Sequence, residues 1–134
     1  MAPLVRKKVL VVEDDPSTRF LVMVLLEEHD CTVLEACDGP EALHMVRTER
    51  PDLVLLDVRL PGLDGLAVCR LIKANPAVAA VPVVLLTVKS TPEDRAAGLA
   101  AGADGYLTKP MPLLELLTVV DQWLLQPAQT AEPA

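Results

Sequence analysis

Two apolar tetrads that end on acids constrain this chain most. Val9-Leu10-Val11-Val12 runs into Glu13-Asp14-Asp15, and Leu53-Val54-Leu55-Leu56 runs into Asp57. Each run is too short for a buried helix, and neither alternates as a half-exposed strand would. Both read as strands of a parallel sheet covered on its two faces. Ligands of an open parallel sheet bind in the crevice beyond the carboxyl ends of its strands. If the two strands are neighbours, Asp14, Asp15 and Asp57 converge in that crevice.

Such a cluster calls for a cation. Two like charges about 4 Å apart repel by roughly 4 kcal/mol at an effective dielectric near 20. Carboxylate oxygens in a small, partly hydrated pocket are hard donors, and they favour magnesium.

The rest of the chain fits one α/β domain. Apolar runs at Lys8–Val12, Thr32–Ala36, Leu53–Leu56, Val83–Leu86 and Gly105–Leu107 alternate with helical stretches. Those stretches are Ser17–His29, Pro40–Glu49, Leu66–Ala74, Pro92–Ala101 and Pro112–Leu125. Strict alternation predicts a parallel sheet with helices on both faces. The punctuation agrees. Asp38 precedes Gly39-Pro40-Glu41 as an N-cap with an acid three residues on. Thr91-Pro92-Glu93-Asp94 sets a hydroxyl cap, a first-turn proline and two acids. Asn75-Pro76 ends the third helix, and Gly102 ends the fourth in a left-handed turn. Asp64-Gly65 reads as a turn and cap, and Asp15 before Pro16 stands where it can also cap the first helix.

Composition excludes several classes. Hydrophobic residues make up 51% of the 134 and aromatics only 2%, so the core is aliphatic. A net charge of −7 disfavours general nucleic-acid binding and a basic membrane-surface helix. Cys31, Cys37 and Cys69 form neither a disulfide framework nor a zinc pattern and read as reduced apolar filler. No signal peptide and no apolar stretch of about 18 residues is seen, so a cytoplasmic chain is expected.

Further features join the acids: Thr87 after the fourth strand, Tyr106 in the fifth, and Lys109-Pro110 beyond it. Asp57 opens Asp57-Val58-Arg59-Leu60-Pro61-Gly62-Leu63-Asp64-Gly65, a loop of turn formers. In this order they resemble the receiver domain of two-component response regulators, from about Lys7 to Leu125. The resemblance implies a flavodoxin-like five-stranded parallel sheet of order 2-1-3-4-5 and a domain over 7–126; 1–6 and 127–134 read as flexible termini, the latter, with nothing to bury, a tail or a linker stub. The resemblance also implies that Asp57 is the phosphoacceptor and that Asp14, Asp15, Asp57 and the Arg59 backbone carbonyl hold Mg2+. Lys109 and Thr87 would contact the phosphoryl group, a cis peptide at Pro110 would aim Lys109, and Thr87 and Tyr106 would form the switch. Arg59 and Lys89 stand where the family tunes phosphate lifetime, and two long cations there predict slow dephosphorylation.

The implied partners are a sensor histidine kinase or phosphotransfer protein and a downstream target or output domain. No direct nucleic-acid or membrane contact is expected. The implied chemistry is the chain's own phosphorylation and dephosphorylation, not an enzyme's turnover of outside substrates. Rival classes fit less well. A haloacid-dehalogenase-type phosphatase would need an acid where Arg59 stands, and a flavin-binding flavodoxin would not place acids at its phosphate loop. A degenerate receiver serving only as an interaction module is the alternative; such proteins usually lose one of the acids, the Thr or the Lys, and this chain keeps Thr87, Lys109 and the acids. The fifth helix lacks Lys and Arg, which disfavours pairing through charged fourth and fifth helices; a monomer or weak homodimer is expected. Leu114, Thr118, Asp121 and Leu125 share one face of that helix. His29 and His44 read as solvent-facing, and Trp123 as packing.

Overall fold

The computed structural model describes residues 7–88, 91–109 and 112–124. Five strands, β1 (Lys8–Val12), β2 (Thr32–Ala36), β3 (Leu53–Asp57), β4 (Val83–Thr87) and β5 (Gly105–Thr108), form one sheet in the order β2-β1-β3-β4-β5. All four pairings are parallel. The helices are α1 (Pro16–Glu28), α2 (Gly39–Glu49), α3 (Gly65–Ala74), α4 (Pro92–Ala100) and α5 (Leu113–Leu124). Strands β3, β4 and β5 each run one residue further than the apolar pattern indicates, because Asp57, Thr87 and Thr108 still take part in the ladder.

The uninterrupted apolar runs are explained by burial from two sides. Leu10, Val12, Val54, Leu56 and Leu85 point into one core with Ala42 and Val46 of α2 and Val68, Cys69 and Ile72 of α3. Their sequence neighbours Val9, Val11, Leu53, Leu55, Val84 and Leu86 point into the other, with Val22 and Leu26 of α1 and Leu116, Val120 and Leu124 of α5. Every second residue thus serves one core, the period of a strand. Each fully buried Leu or Val contributes about 2 kcal/mol relative to exposure. The apolar run at 20–26 is helical; only Val22 and Leu26, four residues apart, are buried, while Phe20 and Leu21 face outward.

Side-chain caps set where the helices begin. Asp15, Asp38 and Asp64 accept from the backbone N–H of Thr18, Glu41 and Ala67. Thr91 and Asp94 form the reciprocal capping box at α4. At α2 the box does not close: Glu41 accepts from Cys37 N–H at 2.9 Å, one residue before the cap. Gly102 has a φ of +92°, the left-handed stop expected after α4.

Two local expectations are corrected. His29 is half-buried and meets Asp121 of α5 at 2.7 Å, so neither side chain is simply a solvent-facing surface group. Cys37 is exposed in the β2–α2 loop and fills no core, unlike the buried Cys31 and Cys69. Trp123 packs at the edge of the α1–α5 core as expected. Lys89, Pro110 and its peptide, Leu125 and the 127–134 tail lie outside the described residues.

Candidate functional site

The strand order places the carboxyl ends of β1, β3 and β4 side by side, so the residues that follow them meet in one crevice. Asp57, the last residue of β3, is 6% exposed. Its Oδ1 accepts the Arg59 backbone N–H at 2.9 Å, and its Oδ2 accepts from Lys109 Nζ at 3.0 Å. The same ammonium donates to Glu13 Oε1 at 2.8 Å. Glu13, Asp14 and Asp57 each offer an oxygen within 4.8 Å of the others.

The acidic pair at the end of β1 is therefore Glu13-Asp14, one residue earlier than the sequence pattern suggests. Asp15 stands outside this group and caps α1 through Thr18, whose N–H and hydroxyl both donate to its Oδ2. Those two bonds hold its carboxyl below the usual carboxylate range. Pro16 is the signal that could have told them apart: a proline at the first helical position makes the residue before it the cap, with a carboxylate already engaged.

The electrostatics are those of a site short of positive charge. Among the described residues three carboxylates face one ammonium, leaving two negative charges uncompensated when all are ionised. Burial pushes the Glu13 carboxyl up, against the opposing pull of Lys109. Burial also pulls on Lys109, but its bonds to Glu13 and Asp57 outweigh it and hold the ammonium above its ordinary value. An all-oxygen donor set with excess negative charge fits a hard divalent cation. Beside it lies a cleft of about 630 Å³ walled by Asp14, Asp57, Arg59, Leu60, Pro61 and Asp64. Arg59 is exposed at this wall.

Thr87 and Tyr106 are the remaining predicted residues that are described. Thr87, 1% exposed, ends β4, and its carbonyl accepts the Lys109 N–H at 2.7 Å. That bond ties the segment carrying Lys109 to the strand beside Asp57. Tyr106 lies half-buried on β5, close against Gly98 of α4, with the Arg95 guanidinium 5.0 Å from the ring centre. Gly65 closes the loop after Asp57, donating its N–H to the Val58 carbonyl at 2.8 Å.

Comparison with known proteins agrees with this geometry. The response regulator receiver domain model matches residues 9–121. The DNA-binding response regulator MtrA of Mycolicibacterium smegmatis is 43% identical over 115 residues, which are 86% of this chain and 49% of that protein. The alkaline phosphatase synthesis transcriptional regulatory protein PhoP of Bacillus subtilis is 44% identical over 78% of this chain and 42% of its own length. The chain thus spans about half the length of the curated relatives it matches. Among solved structures, the activated N-terminal receiver domain of Klebsiella pneumoniae RstA superposes with a TM-score of 0.82 at 36% identity, covering 89% of this chain and 99% of that one. A Pseudomonas aeruginosa sensor-kinase receiver domain, solved with magnesium in its active-site cleft, superposes at 0.84 and 32% identity over 91% of this chain and all of that one (100%). Sheet order, family model and relatives agree: the chain belongs to the response regulator receiver domain family of two-component signalling.

Proposed function

We propose that Asp57 accepts a phosphoryl group from a histidine kinase or phosphotransfer protein, with Mg2+ held by Glu13, Asp14 and Asp57. The observation that carries this reading is the Asp57 carboxylate itself, buried at a strand end and oriented through both oxygens by Arg59 N–H and Lys109. A carboxylate oxygen of Asp57 attacks the phosphorus of a phosphohistidine. The O–P bond of an acyl phosphate forms as the P–N bond breaks, and imidazole leaves. Transfer of this kind depends on positioning and charge stabilisation more than on covalent chemistry by the protein. Bound magnesium supplies the positive charge that offsets the phosphoryl oxygens and the crowded carboxylates. Lys109 adds a second, resident cation, already pointed at Asp57. The Arg59 backbone carbonyl, on the cleft wall, is the further ligand we assign.

Phosphorylation adds strong acceptor oxygens beside Thr87. In this reading the Thr87 hydroxyl turns toward them and Tyr106 follows inward, changing the surface of α4, β5 and α5. The support is placement: Thr87 is buried at the end of β4 and Tyr106 is packed only partway, against α4. The chain acts on itself and passes a signal to a partner or output domain, turning over no outside substrate. We place it in the cytoplasm; among the described residues no helix is long and apolar enough to cross a membrane. A longer relative, of which this chain matches about half, is a DNA-binding regulator, so the expectation of no direct nucleic-acid contact concerns these residues alone.

Thermal unfolding with magnesium and beryllofluoride, a mimic of the phosphoryl group, tests the reading. A rise in Tm beyond that given by magnesium alone, needing both additives and vanishing in Asp57→Asn, is expected. Equal shifts in the unaltered and Asp57→Asn chains would contradict it.

A further inference from the structure

Arg19 of α1 bonds the backbone of a site residue, and the chemistry above gives it no role. Its side chain is 16% exposed and makes two directed bonds. Nη1 donates to the backbone carbonyl of Glu13 at 2.7 Å, and Nε donates to Glu35 Oε1 on β2 at 3.0 Å. The Glu13 N–H is already tied to the Ala36 carbonyl of β2 at 3.1 Å. Glu13 is thereby held at both ends of its backbone.

The Glu13 carbonyl belongs to the same planar unit as the Asp14 N–H. Fixing that oxygen fixes the plane, and with it the direction in which Asp14 leaves the chain. This matters because Asp14 is exposed and, among the described residues, its carboxylate has no hydrogen-bond or ion-pair partner. Glu13 and Asp57 are aimed by Lys109, whereas only the backbone aims Asp14. A rigid two-pronged donor suits this position. The guanidinium fork reaches a carboxylate and a carbonyl at once, which a single ammonium on a flexible stem does less well.

We propose that Arg19 is a positioning residue for the cation site, clamping the Glu13–Asp14 peptide between α1 and β2 so that the Asp14 carboxylate is presented to the metal. The inference rests on the reading that Glu13, Asp14 and Asp57 hold magnesium. A purely structural ion pair with the half-exposed Glu35 would contribute little and would leave metal affinity unchanged.

Calorimetric titration of magnesium into the full chain, without any phosphoryl donor, separates these cases. Arg19→Ala is expected to bind about tenfold more weakly, the low end for losing a group that orients a metal ligand. Arg19→Lys keeps the charge but not both bonds and should fall between Arg19→Ala and the unaltered chain; it carries the test if Arg19→Ala does not fold. Val78→Ala, which opens a gap in the opposite core, should lose stability and keep its magnesium affinity. Unchanged affinity in the folded arginine variants would overturn the clamp while leaving the magnesium reading intact, as would an equal loss in Val78→Ala. No binding by the unaltered chain would overturn both.

Discussion

Lys109 Nζ stands 3.0 Å from Asp57 Oδ2, spanning the width of β4 to join the segment after β5 to the end of β3. With Glu13 on its other side, this ammonium is the resident counter-ion of the acidic crevice. Lys109→Met should leave two carboxylates facing each other and cost about 2 kcal/mol in a chelator. That is below the 3–5 kcal/mol of a fully buried broken pair, because Lys109 is 22% exposed. Urea unfolding should show the loss, and magnesium should restore part of it. Full stability in chelator would mean the pair is not felt.

Gly65 packs so tightly under the site that an added Cβ would lie 2.3 Å from the Asp57 carbonyl oxygen and 2.7 Å from Val58 Cα. Both obstacles are backbone and cannot rotate away. Gly65→Ala should therefore destabilise by about 3 kcal/mol, the upper range for overpacking, despite alanine's better helix propensity. It should also displace the Asp57 loop. Denaturant unfolding checks the first effect; a neutral outcome would show that the loop yields.

Tyr106 is the only tyrosine in the chain, so its ionisation can be followed by ultraviolet absorbance. Burial, reinforced by the charge of Asp94 and opposed by Arg95, raises its pKa above the ordinary 10.0. The folded state favours the neutral phenol. Its contribution to stability is whole below about pH 10 and drains away as pH rises through the higher folded value. The native titration should lie above that of the urea-unfolded chain; coincident curves would place the ring in water.

Cys69 of α3 is buried in the core with its thiol pushed up to about 11, while Cys37 is exposed. The Cys37 thiol is itself held above its ordinary value, by desolvation first and then by Glu41, so exposure rather than acidity sets the order. A neutral-pH thiol reagent should modify Cys37 and spare Cys31 and Cys69 until denaturant is added. Rapid loss of all three native thiols would contradict the described packing.

The residues made the architecture readable because local signals and tertiary demand coincide. Val9–Val12 and Leu53–Leu56 have no polar positions because helices cover both faces of β1 and β3, and the caps at Asp38, Asp64 and Thr91 hold where the sequence places them. The site was legible as a set of strand ends, and Asp57 and Lys109 do meet there. The sequence pattern is off by one residue where two roles compete for one acidic run. Asp15 serves the helix and Glu13 the crevice, a choice decided by where the ladder to β2 stops. The contacts of Arg19 with Glu13 and Glu35, and of His29 with Asp121, join residues whose meeting no local pattern signals.

The most direct test of the account is the intact mass of the chain after incubation with magnesium and a small acyl-phosphate donor, alongside Asp57→Asn and a magnesium-free control. The account predicts one added phosphoryl group on the unaltered chain, and none when Asp57 is replaced or magnesium is withheld. An adduct that persists in Asp57→Asn, or no adduct together with no response to beryllofluoride, would contradict it and favour a receiver that acts only as an interaction module.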